Sequence, residues 1–508
     1  MTLRLSLYFL ALFACLSNPV LAQGTETGDK KEEAKKAAEE PKVFVKSFTG
    51  RFNDERVAYT VTAGETFLKN DKGEDTASIF TVAYTKDDTS NAASRPITFV
   101  FNGGPGSASL WLHMGVFGPK RVVVPSDGRD AGAAPYLIED NPLSILDVTD
   151  LVFIDPVGTG YSRTLGEAEG KDFWGLREDA KSIAEFMRLY LTKNGRWNSP
   201  KYVAGESYGT TRAAQLVNEL QRTFTGVALN GVIMISAVLD FHAAEFAMGN
   251  SLPYVSVLPT YAATAWYHDA VPDKPESLEG FVNEARQFAL NEYSVALLKG
   301  SRLSAEERET IVRQLARFTG LSETYVRQTN LKVGDFRFMK QLLRDRGLTV
   351  GRFDSRYTGE DFDDAGEHFD NDASAYGVDA AFVASVNDYL TRVLEVDFTK
   401  RYKVLDREPG RNWNWSDRDG GWPSYVNVAP HVGRGMRENK DLRAFFANGY
   451  YDLATPFFAT ENAVAANGID PDRVVMEYYE AGHMMYTHVP SLEKLASDVR
   501  TFIIDGKK

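Results

Sequence analysis

Ser207 stands between two glycines in Gly205-Glu206-Ser207-Tyr208-Gly209, after the strand-like run Lys201-Tyr202-Val203-Ala204 and before a helix-like segment. Flanking glycines let a strand and a helix approach closely, and the serine between them is forced into a sharp turn that exposes its hydroxyl. A hydroxyl placed this way can attack a carbonyl if a base takes its proton and an acid orients that base. Two later loops offer these groups: Asp452 in Gly449-Tyr450-Tyr451-Asp452-Leu453-Ala454-Thr455-Pro456, and His483 in Ala481-Gly482-His483-Met484. His488 is a rival five residues on, but only His483 follows a glycine in a loop; His113, His242, His268 and His431 read as surface or core residues. The five-residue serine pattern is short, so its meaning rests on the elements around it.

Those elements follow a strand and helix rhythm. The buried-type runs Ile97-Thr98-Phe99-Val100-Phe101 and Leu151-Val152-Phe153-Ile154 each end in a glycine-rich loop, Asn102-Gly103-Gly104-Pro105-Gly106 and Asp155-Pro156-Val157-Gly158-Thr159-Gly160. Ile183, Phe186, Met187, Tyr190 and Leu191 recur at helical spacing before Gly195. Ala213, Leu216, Val217 and Leu220 predict a second helix after the serine turn, and Val232 to Ile235 another strand. The βαβαβ order implies a mostly parallel sheet with the serine at the C-terminal end of its strand, where such sheets bind ligands. Strand Leu442 to Ala447 leads to Asp452 and strand Arg473 to Tyr478 leads to His483, followed by a helix through Leu492, Leu495, Val499 and Phe502. Serine, acid and histidine in that chain order, each after a strand, predict an α/β-hydrolase fold.

With these residues in view, the chain resembles the secreted serine carboxypeptidases. That family carries the Asn-Gly-Gly-Pro-Gly loop, a Pro-Val-Gly-Thr-Gly-[Phe/Tyr]-Ser loop, the Gly-Glu-Ser-Tyr-Gly turn, an Asp loop and an Ala-Gly-His-Met loop, and this sequence is similar at all five, in order, across residues 97–490. The resemblance implies Ser207 as nucleophile, His483 as general base and acid, and Asp452 as its orienting partner. It implies an oxyanion hole from the N–H groups of Gly104 and Tyr208, and a substrate carboxylate held by Asn102, the Gly103 N–H and Glu206. Glu206 can hold a carboxylate only when protonated, so binding is expected to favour acid pH. Two departures stand out. A second acid found in many members falls on Val116, and the family's cysteine after Gly-Gly-Pro-Gly is Ser107; together with the missing disulfides this points to a bacterial-type member.

The remaining chain sets context. Its 508 residues, 43% hydrophobic and 25% charged, suit a large α/β domain with an insertion, and a net charge of -13 offers no footprint for nucleic acid or anionic membrane. Arg4, the apolar run Leu5 to Leu16 and Val20-Leu21-Ala22 predict a signal peptide for residues 1–22, cut after Ala22, with lipidation at Cys15 as the rival. The product is expected to be secreted or periplasmic, without stable membrane insertion. Residues 23–42 read as a charged tether. Residues 43–240 and 441–508 read as two parts of one core, beginning with antiparallel strands near Val57 to Val61 and Ser78 to Tyr84, and residues 241–440 as a mainly helical insertion or lid. Ser304 with Glu307 forms a capping box opening a helix from Ala305 to Phe318. The acidic stretch Asp361 to His368 invites a calcium reading, but Ala365 lacks a ligand and position twelve is Asp372, so a solvated loop is the expectation.

These readings converge on a serine-type carboxypeptidase that releases C-terminal residues from peptides through an acyl-enzyme, using no metal or cofactor. Three alternatives stay open: an esterase or acyltransferase, an aminopeptidase-type enzyme on the same fold, and a catalytically silent binding protein. The sequence does not address oligomeric state.

Overall fold

The computed structural model describes residues 40–221, 226–417 and 425–506; the proposed signal peptide, Cys15 and nearly all of the tether lie outside them. Alternation of exposed and inward residues makes an antiparallel meander of β1 (Val43–Phe52), β2 (Glu55–Lys69) and β3 (Asp75–Lys86). Next come β4 (Ile97–Phe101), β5 (Asp150–Ile154), β6 (Lys201–Ser207), β7 (Gly231–Ala237), β8 (Arg443–Gly449) and β9 (Val474–Tyr479). They form one sheet in the order β1-β2-β3-β5-β4-β6-β7-β8-β9, with the short strand Arg163–Thr164 beside β3 off this path. From β5 to β9 every pairing is parallel, and β3 joins that block antiparallel through β5. A mixed, mostly parallel sheet is the α/β-hydrolase arrangement.

The unbroken apolar runs have a physical reason. Strand β4 is buried along its whole length, and alternate side chains feed two cores: Phe99 and Phe101 on one face, Val100 on the other. Helices α1 (Leu176–Lys193) and α2 (Tyr208–Leu220) give Ile183, Phe186, Met187, Leu216 and Val217 to the first face. Full burial of such side chains stabilises by roughly 1.5–3 kcal/mol each.

After β7 the chain leaves the sheet for α3 (Leu252–Tyr267), α4 (Leu278–Phe288) and α5 (Ala305–Thr319), which share a third core with Tyr450, Tyr451, Leu453 and Phe457 beyond β8. The Ser304 and Glu307 capping box closes reciprocally at the start of α5. Helix α6 (Ala429–Glu438) already belongs to the sheet, because Val432 and Met436 enter the same core as α2. Helix α7 (Phe457–Ala466) follows β8, and α8 (Val489–Asp505) covers the second face with Leu492, Leu495 and Val499. No described helix is long and apolar enough to cross a membrane.

Candidate active site

Ser207 ends β6 and precedes α2 with φ 60° and ψ -130°, a region non-glycine residues rarely occupy. Such a conformation costs on the order of 1–3 kcal/mol and persists where the surroundings enforce it. Here they do. The Asn102 loop presses against the turn so closely that a Cβ on Gly103 would stand 2.5 Å from the Tyr208 nitrogen and 2.7 Å from the Glu206 carbonyl oxygen. Gly104 follows at φ +105° and is exposed. From α2, the buried Arg212 donates Nη1–H to the Asn102 carbonyl at 2.6 Å and Nε–H to Asp179 at 2.6 Å. The loop is thus tied to α2, the helix that begins directly after Ser207 and whose N-terminal dipole favours developing negative charge.

Glu206 is buried beside this turn. Its Oε2 accepts from Asn102 Nδ2–H at 3.0 Å and from the Tyr486 hydroxyl at 2.8 Å. Burial pushes its pKa up to about 7, although the nearby His483 and these two donors favour the charged form. The carboxyl therefore keeps its proton through mildly acid pH.

On the opposite side, His483 Nδ1–H donates to Asp452 Oδ2 at 2.8 Å, which fixes the tautomer and leaves Nε2 as the basic nitrogen. Asp452 is fully buried, and its carboxylate also accepts the Ala454 and Thr455 N–H groups at 2.9 Å each and the Thr455 hydroxyl at 2.6 Å. Burial alone would weaken His483 as a base, but the Asp452 carboxylate, helped by Glu206, overrides it and raises the imidazole above its ordinary range. The His483 carbonyl accepts from the Ser236 hydroxyl at 2.7 Å; Ser236 precedes Ala237, the β7 partner of Ser207. This bond and the Tyr486 contact to Glu206 fasten the histidine loop over the serine turn.

The structure therefore brings Asn102, Gly103, Glu206 and Tyr208 together around Ser207, and Asp452 against His483. His488 instead pairs with Ser491 at the start of α8. His113, His268 and His431 bond elsewhere, to Tyr84, the Ser355 carbonyl and Asp417. Val116 is buried in a π-helical turn and gives Glu206 no second acid. Sequence reasoning missed Tyr486, Thr455 and Arg212. Thr455 had a signal, since Asp452 and Thr455 have the spacing of a side-chain turn; Tyr486 and Arg212 had none. The acidic stretch pairs within the protein: Lys340 bonds Asp361 and the Asp363 carbonyl, Arg344 the carbonyls of Asp364 and Gly366, and Arg337 bonds Glu367.

A serine on a strained strand-to-helix turn of a mostly parallel sheet, with Asp and His on loops after later strands, defines an α/β-hydrolase. The sequence model of the serine carboxypeptidase family, Peptidase S10, matches residues 28–309, more than half of the chain. The chain belongs to that family. It is 29% identical over 168 residues to serine carboxypeptidase-like 13 of Arabidopsis thaliana, covering 32% of this chain and 36% of that protein. To the pheromone-processing carboxypeptidase KEX1 of Coprinopsis cinerea it is 27% identical over 146 residues, covering 28% and 22%. The matched regions thus span about a third or less of these curated relatives. Among solved structures, the prohormone-processing carboxypeptidase Kex1 of Saccharomyces cerevisiae is similar in fold, with TM-score 0.54, 17% identity and coverage of 88% of this chain and 91% of that one.

Proposed function

We propose that the protein is a serine-type carboxypeptidase of bacterial type, secreted or periplasmic, that removes residues from peptides with a free C-terminus. Ser207 attacks the scissile carbonyl as His483 Nε2 takes its proton, and Asp452 holds the imidazolium that forms. The N–H groups of Gly104 and Tyr208 receive the developing oxyanion. The imidazolium of His483 then gives its proton to the leaving amine as the C–N bond breaks, and water, giving a proton to His483, cleaves the acyl-enzyme and lets that proton return to Ser207. The helical insertion acts as a lid over this cleft.

The observation that carries the reading is Glu206, a buried carboxyl held by Asn102 and Tyr486 next to the nucleophile, with a pKa of about 7. An esterase needs no such group. Its Oε2 takes both donors, so Oε1 carries the proton that bonds a substrate carboxylate, with Asn102 and the Gly103 N–H beside it. With Val116 in place of a second acid, burial is the main cause of the upward shift of Glu206, and the Tyr486 hydroxyl secures its Oε2.

N-blocked dipeptides with free and amidated C-termini test the proposal. The free acid should be cleaved at least about 100-fold better, the scale of a lost charge-assisted contact. Equal cleavage of both would move the protein to a general peptidase, and activity confined to esters to an esterase or acyltransferase.

A further inference from the structure

Five residues of the insertion, Arg352-Phe353-Asp354-Ser355-Arg356, run between the Asp452 and His483 loops without belonging to the sheet. The last backbone bond joining those two loops directly, among the described residues, runs from Tyr451 N–H to the Ala481 carbonyl. Asp452 and His483 lie just beyond it, and there the strap takes over. Leu453 N–H donates to the Arg352 carbonyl at 3.1 Å and Ser355 N–H to the Tyr451 carbonyl at 2.9 Å, which brackets Asp452. His483 N–H donates to the Phe353 carbonyl at 2.6 Å, and Gly482 N–H to Asp354 Oδ2 at 3.0 Å. The Phe353 ring stands 5.1 Å from the imidazole.

The strap is itself rigid. Arg356 grips Asp354 through Nε to Oδ1 at 3.0 Å and Nη2 to Oδ2 at 2.6 Å, and both side chains are buried. Arg352 N–H bonds Asp372 at 2.9 Å and Phe353 N–H bonds Ser374 at 3.0 Å. The Ser355 hydroxyl meets Thr264 of α3 at 2.6 Å. The glycine before the histidine has its explanation here. Gly482 is not among the positive-φ residues, so its own turn does not require glycine, but a Cβ there would stand 2.4 Å from the Asp354 Cβ and the Phe353 oxygen.

We propose that Phe353 and Asp354 are positioning residues: through them the insertion, rather than the sheet, sets where the His483 ring stands against Asp452. The inference rests on the reading of Asp452 and His483 as a catalytic pair. Its energetic logic is that a displacement of about 1 Å at a catalytic group costs about 100-fold in rate. The insertion is then part of the catalytic machinery as well as its cover.

Two variants test it. Phe353→Ala removes a half-buried ring, and Asp354→Ala with Arg356→Met removes the Gly482 acceptor without leaving a buried charge unpaired. Each should lower kcat about 10- to 100-fold with KM within about threefold of wild type, the mark of a contact that matters in the transition state. Each should also shift or broaden the downfield proton NMR line of His483 Nδ1–H in the substrate-free protein. If the paired variant does not fold, Phe353→Ala decides. A wild-type kcat with an unmoved proton line overturns the inference. Because the line is read without substrate, an unmoved line counts against the strap even if wild-type protein is inert toward peptides; inertness itself would count against the reading of the site instead.

Discussion

The two sides of the site are held in different ways. Around Ser207 most supports come from neighbouring strands: the Asn102 loop leaves β4, the serine turn leaves β6 beside it, and Arg212 of the following helix ties the two, with Tyr486 reaching Glu206 from the histidine loop. Around His483 the strands β8 and β9 bring the loops together, but a segment about a hundred residues away in sequence holds their tips. The serine side is built by local geometry that glycines make possible. The histidine side leans on a third core, formed with the helices that follow β7, which Tyr450, Tyr451 and Leu453 share.

Substitutions on each side sharpen this contrast. Ser207→Ala should have the largest effect, a loss of about 1000-fold or more in kcat/KM with the fold intact, read by steady-state kinetics and thermal melting. Arg212→Met should damage stability most, because Asp179 stays buried without its partner; chemical denaturation should show a loss of about 3–5 kcal/mol. A small loss there would break the claim that the serine side is locked by this ion pair.

Glu206→Gln should have the next largest effect, and it depends on pH. Folding raises the Glu206 pKa from 4.5 to about 7. The favoured state is the protonated one, so the group costs nothing below pH 4.5, and stability falls as pH rises from there toward 7, by about 3 kcal/mol in full. Glutamine does not titrate, so the variant should match wild type near pH 4 and exceed it in melting temperature above pH 7. Thr455→Val should have the smallest effect, about fivefold in kcat, because it removes the hydroxyl's contacts to Asp452 and to His483 Nδ1 while the bond between His483 and Asp452 remains.

The same contrast explains what the sequence could reveal. Elements of the sheet were legible because they are local: unbroken apolar runs mark strands buried on both faces, and glycine clusters mark the loops at their ends. The residues around Ser207 share two such loops, and the pattern that bends the chain there also names them. Asp452 and His483 were legible as loop residues after strands. Their supports were not, since Tyr486 and the 352–356 strap are ordinary residues whose role exists only once distant segments meet. Even Gly482, visible as part of a motif, has its cause in the strap. The acidic stretch near Asp361 reads as a solvated loop from its own composition, and its partners Lys340 and Arg344 come from a separate segment that the sequence does not pair with it.

On the proposed reading, a protonated Glu206 chooses substrates by their terminal carboxylate. The direct measurement is kcat/KM for a free-acid dipeptide relative to its amide, for wild type and Glu206→Gln, from pH 4.5 to 8.5. The expected result is a wild-type preference for the free acid that is greatest below pH 6 and declines as pH rises through about 7, with no such decline in Glu206→Gln. A ratio near one throughout, or an identical decline in both proteins, would contradict the claim.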